Sequence, residues 1–206
     1  MQLPMKLRLF STQLWVSYPL ICVVAIVILL GGAGRFLPCA AAVVIHESGH
    51  LTAMKLLGYF PERIKISPVE ITITDSSRHD RTPKQNLLII FFGPFFNFIC
   101  FLPIYLLYLM GIGRALPYAA AQLSVGLFNL LPVMSLDGGQ MIFIFLCAFF
   151  PSGTSETAVN VLTIVALVPL AFMGFMILFE SKYNFSLLLV CVYLMVSLLF
   201  RGNKYY

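Results

Sequence analysis

Residues 46 to 50 read His46, Glu47, Ser48, Gly49, His50, an H-E-x-x-H pattern inside an apolar run that includes Val43, Val44, Ile45 and Leu51. On a helix, positions i and i+4 lie on one face, so His46 and His50 offer imidazole nitrogens to one ion. A catalytic zinc takes three protein ligands and keeps a fourth position open for water, whose pKa it lowers to about 7. Glu47, beside that water, can take its proton and later hand it to a leaving amine. The chemistry implied is hydrolysis, with one Zn²⁺ per chain. The chain has three His, and shuffling it would produce the pattern on the order of once in a thousand tries, so chance is a weak explanation. Facing lipid, these side chains would cost several kcal/mol, since an acid near a span centre costs about 2.5 to 3.5 kcal/mol on insertion scales.

A third ligand is needed, and the sequence offers few. Apart from Glu47, the acids lie in loops or at the edges of apolar blocks, except Asp137. Asp137 follows an interruption that reads Asn129, Leu130, Leu131, Pro132, Val133, Met134, Ser135, Leu136 and precedes Gly138 and Gly139. Freed backbone at membrane depth is tolerated only where it is buried in protein or lines a wet cavity. Asp137 is therefore the candidate third ligand. Asp followed by Gly is also turn chemistry, and a plain helix cap remains the alternative for this residue.

These residues need elements to hold them. The chain of 206 residues is 60% hydrophobic and 10% charged, and its mean hydropathy of +0.95 is far above that of an ordinary soluble domain. Blocks of about 18 to 25 apolar residues recur, each able to cross a hydrocarbon core of roughly 30 Å. The expectation is an all-α integral membrane protein, a bundle of six transmembrane helices in a single polytopic domain over residues 1–206, with its catalytic core at 37–150. The spans run from about Trp15 to Leu30, Leu37 to Leu57, Leu87 to Ile112, Ala115 to Phe150, Ala158 to Phe179 and Phe185 to Phe200. The fourth is broken in two near Pro132. No small-residue cleavage site follows the first block, so it is expected to stay as a span.

Ten of the 13 Lys and Arg residues, Lys6, Arg8, Lys55 and Arg78 among them, fall on one side of this arrangement, and only Arg35, Arg114 and Lys182 fall on the other. The positive-inside rule then puts both termini of this multi-pass membrane protein in the cytosol. The basic residues punctuate the spans rather than forming a stripe, which argues against nucleic acid as a partner. The five cysteines, Cys22, Cys39, Cys100, Cys147 and Cys191, show no C-x-x-C spacing and suggest neither a disulfide framework nor a metal cluster.

Between the second and third spans, Ile64 and Ile66, then Val69, Ile71 and Ile73 after Pro68, alternate with polar residues and predict short edge strands. A helix hides its scissile carbonyl in its own hydrogen bonds, so an edge strand that includes Val69 and Ile71 could hold an unwound substrate by strand addition. A surface hairpin covering the bundle is the competing reading.

H-E-x-x-H in one span, L-D-G in a later one, and Asn129-x-x-Pro132 just before it resemble the site-2 protease family of intramembrane zinc metalloproteases. Gly93, Pro94, Phe95, Phe96, Asn97 also resembles a G-x-x-x-N pattern of the family's third span. The resemblance covers most of the chain and implies that His46, His50 and Asp137 hold zinc and that Glu47 is the base. It further implies that Asn129 and Pro132 contact substrate or position water near the metal. An Asn amide there could donate to a developing oxyanion. For Asn97 and Asn129 alike, hydrogen bonding between helices is the plainer alternative.

The chain is expected to lack the PDZ and nucleotide-sensing domains of many members. It looks most like the compact bacterial branch that includes the sporulation protease activating a sigma-factor precursor. The implied partners are a transmembrane protein substrate, such as that precursor or an anti-sigma factor, a regulatory membrane protein, and the bilayer itself. Two other classes compete. An ion transporter would use intramembrane His, Glu and Asp as a path, although no inverted repeat is visible. An inactive zinc-binding scaffold would have been free to lose Glu47.

Overall fold

A computed structural model of the chain describes residues 5–9, 12–16, 33–66, 71–74, 81–180, 191–192 and 194–195. They fall into two compact units, Met1–Gly126 and Leu127–Tyr206.

The first unit is built around two packed helices, α1 (Ala33–Leu56) and α2 (Pro83–Leu109). Each is punctuated as its sequence dictates. Past the end of α1, Gly58 takes φ +81°, its N–H donates to the Lys55 carbonyl, and the Tyr59 N–H donates to that of Met54. This pairing satisfies carbonyls that a helix end would otherwise leave open, and only glycine enters that conformation without strain. Gly111, at φ +95°, ends α2 in the same way, with bonds from Gly111 to Tyr108 and from Ile112 to Leu107. At the start of α2, Thr82 and Gln85 form a capping box ahead of Pro83. Tyr59 reaches across to donate to Gln85 Oε1 at 3.2 Å, and the Arg81 guanidinium lies 4.6 Å from the centre of the Tyr59 ring. Ala53, Met54 and Ile89 form the core between the two helices, flanked by Leu51, Leu57 and Phe92. A 3-10 turn (Gly113–Ala115) then leads into α3 (Leu116–Asn129), whose buried face is made of Ala119, Ala121, Gln122 and Gly126.

The same unit carries a four-stranded sheet in the order β1 (Met5–Leu9), β2 (Thr12–Val16), β3 (Arg63–Ile66), β4 (Ile71–Thr74). β1 and β2 form an antiparallel hairpin, β2 runs parallel to β3 with Gln13 opposite Arg63, and β3 pairs antiparallel with β4, Ile66 opposite Ile71. Strands expected only between the second and third spans are thus joined by an N-terminal hairpin, and the all-α expectation is corrected to that extent. Trp15, read above as the start of the first span, pairs with Lys6 and Lys65 inside β2.

The second unit contains α4 (Asp137–Cys147) and α5 (Ser152–Glu180), which pack on each other. Val133, Leu167 and Leu194 form its core, with Phe128, Leu131, Leu136 and Ala166 against them. Of the sixth expected span, Cys191–Val192 and Leu194–Met195 are helical and the rest lies outside the described residues, as does most of the first.

The described residues hold five long α-helices, which correspond to the second to fifth expected spans, α3 and α4 being the two pieces of the broken fourth. Two contain stretches long and apolar enough to cross a membrane, Pro83–Leu109 and Ser152–Met176. Both expose large apolar side chains on most sides, including Leu102, Leu106 and Leu109 on α2 and Val165, Phe172 and Phe179 on α5. A surface of that kind suits hydrocarbon rather than water.

Candidate metal centre

Within the first unit, α1 carries His46, Glu47 and His50 through its middle. His46 is buried, while Glu47 and His50 are half-buried. The two imidazoles stand nearly perpendicular, at 85° with centroids 4.8 Å apart, and their Nε2 atoms are separated by 3.2 Å. Neighbouring polar side chains on the helix turn back on it, Ser48 Oγ donating to the Ile45 carbonyl and Thr52 Oγ1 to that of Ser48.

What each ring does with its other nitrogen decides its chemistry. His50 Nδ1 lies 2.8 Å from the backbone carbonyl of Ile89 on α2. A carbonyl only accepts, so this nitrogen carries the proton. His46 Nδ1 lies 2.8 Å from Asn97 Oδ1. The Asn97 amide is oriented by its own Nδ2, which donates to the Ala42 carbonyl at 3.0 Å and to Gln122 Oε1 at 2.6 Å. The atom facing His46 is consequently the amide oxygen, and His46 too is protonated on Nδ1.

Both Nε2 atoms then present lone pairs toward a shared point. Two acceptor nitrogens this close repel unless a cation or an additional proton lies between them. For tetrahedral zinc with Zn–N bonds of about 2.0 to 2.1 Å, the nitrogen–nitrogen edge is about 3.3 Å. The pair fits that edge, and protonated Nδ1 atoms held by a carbonyl and a side-chain oxygen are the usual outer partners of metal-bound histidine.

Glycine makes the room. A Cβ on Gly93 would lie 2.4 Å from His50 Cε1 and Nε2 and 2.9 Å from His46 Cε1, and one on Gly49 would lie 2.2 Å from the Phe92 carbonyl oxygen. Gly93 and Asn97, the ends of the G-x-x-x-N stretch, sit one turn apart on α2. One clears space for the rings and the other steers His46.

In the second unit, Asp137 is buried at the first residue of α4, where the helix dipole favours a carboxylate. Gly138 and Gly139 let the preceding loop fold over the helix start. A Cβ on either would come within 2.2 Å of a backbone oxygen, that of Leu130 or of Val133. The loop backbone is satisfied locally: Val133 N–H donates to Leu131, Leu136 N–H to Val133, and Met134 N–H to Thr163 Oγ1 at 3.0 Å. Among the described residues, His46 and His50 of the first unit and Asp137 of the second have the donor atoms to hold a metal ion.

The chain has the site-2 protease fold. It matches the Site-2 Protease from Methanocaldococcus jannaschii with a TM-score of 0.65, over 95% of this chain and 93% of that one, at 21% sequence identity. No protein-family model matches the chain, and no curated protein matches it.

The remaining sequence candidates fall as follows. Asn97 is fully buried, and its amide is engaged with His46, Ala42 and Gln122. Asn129 ends α3, half-buried, and Pro132 lies in the loop, its carbonyl 3.4 Å from Thr163 Oγ1. Ile71 opens β4, an outer strand among those described, and Val69 lies outside the described residues. Sequence reasoning passed over Gln122, an amide in the middle of α3, and the carbonyls of Ala42 and Ile89. Gln122 could have been found as a buried polar residue in need of a partner; nothing in a sequence marks a backbone carbonyl as a histidine anchor.

Proposed function

We propose that this protein is an intramembrane zinc-dependent endopeptidase that hydrolyses peptide bonds of transmembrane or membrane-associated proteins. The observation that carries this reading is the pair of Nε2 atoms 3.2 Å apart, each on a ring whose Nδ1 is tied to an acceptor. The site-2 protease fold supports it, as do two apolar helices able to span a membrane.

In this reading His46, His50 and Asp137 hold the ion. A zinc ion held there would supply an acidified water and a Lewis acid for the scissile carbonyl. Glu47, next to His46 on α1, takes the proton of the attacking water and delivers it to the departing amine. Asn97 orients His46, and Asn129 and Pro132 line the approach of substrate. The edge of β4 that is outermost among the described strands, with Ile71, is the one to pair with the unwound substrate strand, and Val69 is proposed to take part with it. The chain crosses the bilayer six times with both termini in the cytosol, and its substrates are regulators released by proteolysis, such as a sigma-factor precursor or an anti-sigma factor.

The test is a cleavage assay on a model transmembrane substrate with wild type and Glu47→Gln, with zinc content measured on both. Zinc should be retained in the variant while product falls by about 10²- to 10⁴-fold, the usual contribution of a general base. Equal product from the two proteins would end the mechanism.

A further inference from the structure

Gln122 is almost completely buried, at 1% exposure, in a helix otherwise rich in apolar and small residues. A primary amide at such a place is costly unless its polar atoms are engaged. Its Oε1 accepts from Asn97 Nδ2 at 2.6 Å, and Asn97 Oδ1 in turn accepts from His46 Nδ1 at 2.8 Å. The small residues of α3 allow the approach, since a Cβ on Gly126 would already lie 3.2 Å from Asn97 Cβ.

We infer that Gln122 is a positioning residue that locks the tautomer of His46 through Asn97, an inference whose bearing on zinc rests on the function proposed above. Asn97 can present either its oxygen or its nitrogen to His46. With the oxygen forward, Nδ1 of His46 carries the proton and Nε2 is left as a lone pair suited to a metal. With the amide turned over, the Asn97 nitrogen would face Nδ1, the proton would move to Nε2, and the ring could no longer ligate through that atom. Two acceptors oppose the turned-over state. They are the Ala42 carbonyl and, with the Gln122 amide in its present orientation, Gln122 Oε1, each of which would then face the Asn97 oxygen. The Ala42 carbonyl belongs to the α1 backbone, so Gln122 is the side chain on which the lock depends.

The experiment compares the full chain as wild type, Gln122→Met and Gln122→Glu in detergent micelles, with two readouts. The first is the ring ¹⁵N resonances of His46 in metal-free protein, which report the tautomer. The second is the affinity for Co²⁺ added alone. Methionine fills nearly the same volume but offers no oxygen, whereas glutamate keeps an acceptor there whether or not it is ionised. The expected result is a mixture of tautomers and about tenfold weaker Co²⁺ binding in Gln122→Met, the lower end of what outer partners of a metal ligand contribute. Gln122→Glu should keep the wild-type tautomer and bind within about threefold of wild type.

A purely packing role predicts the reverse ranking, with methionine tolerated and glutamate damaging. That result, or an unchanged tautomer in Gln122→Met, overturns the inference. Wild type that binds no Co²⁺ yet shows a His46 tautomer dependent on Gln122 would uphold the lock and overturn the metal reading instead.

Discussion

His46 and His50 project from the middle of an unbroken helix and are aimed by hydrogen bonds from outside it, to Asn97 and to the Ile89 carbonyl on α2. Asp137 sits at the opposite kind of place, on the first residue of a helix, just after a loop folds over it. The first region needs side-chain partners because a mid-helix rotamer is otherwise free to turn. The second needs backbone room, because a chain that leaves α3 and starts α4 within a few residues must pack its own carbonyls against the new helix. One arrangement is sensitive to lost acceptors, the other to added atoms.

Glycine substitutions separate the two most sharply. In Gly139→Ala the new Cβ would lie within about 2.3 Å of the oxygen and carbon of Val133, and of the Met134 nitrogen at 2.6 Å. Backbone cannot step aside as a side-chain end can, so the loop or the helix start must rearrange. The expected cost is about 3 kcal/mol or more, at the upper end for overpacking. It would be read as a large fall in the thermal unfolding midpoint of the detergent-solubilised protein. An unchanged midpoint would mean that the loop does not press on α4.

Gly93→Ala, next in size, should behave differently although its clash is nearly as close. The atoms met are the ring ends of His50 and His46, which can swing away about their own bonds. Unfolding should move little, by about 1 kcal/mol, while zinc affinity falls by about 10- to 100-fold, as when an outer partner of a metal ligand is lost. Titrating metal-free protein with zinc measures this directly. A variant that keeps its affinity would show that the rings have more freedom than their 2.8 Å hydrogen bonds imply.

The contrast also explains what could be read from the sequence. The histidine pair follows from helical periodicity alone, since residues four apart share a face wherever the helix is placed. The break is legible because Pro132 interrupts a helix, but its end is not: Gly138 and Gly139, which read as part of the interruption, lie in the first turn of α4. The partners that aim the rings are not legible. Asn97 and Gln122 are 25 residues apart and meet only because α2 and α3 turn back on each other through Gly111 and the 3-10 turn after it. The N-terminal hairpin escaped because Trp15 and Val16 open the first apolar block, so hydropathy outweighed the alternation of Gln13, Leu14 and Trp15. A strand that pairs in parallel with residues 50 positions later leaves no local signal, whereas the β3 and β4 alternation announces itself within a dozen residues.

Thr163→Val, a substitution that adds no atoms, probes whether the loop before Asp137 depends on acceptors as well as on room. Thr163 is buried on α5, its Oγ1 accepts from the Met134 N–H at 3.0 Å, and its hydroxyl donates to the Val159 carbonyl at 2.8 Å. Valine keeps the shape and removes the acceptor, leaving a buried N–H unsatisfied at a cost of about 1 to 3 kcal/mol, whereas Thr163→Ser keeps the oxygen and should recover most of that. Val159 loses little, since its carbonyl can still accept within the helix. Unfolding midpoints of the two variants against wild type decide the point. His46 keeps its bond to Asn97 in both, so its tautomer in metal-free protein should not change. If valine and serine behave alike, the loop is held by packing alone and the difference drawn between the two regions stands undiluted. If valine is the weaker by the stated margin, the Asp137 region combines close backbone packing with one acceptor bond, and a buried loop N–H is satisfied from a neighbouring helix, as buried backbone requires.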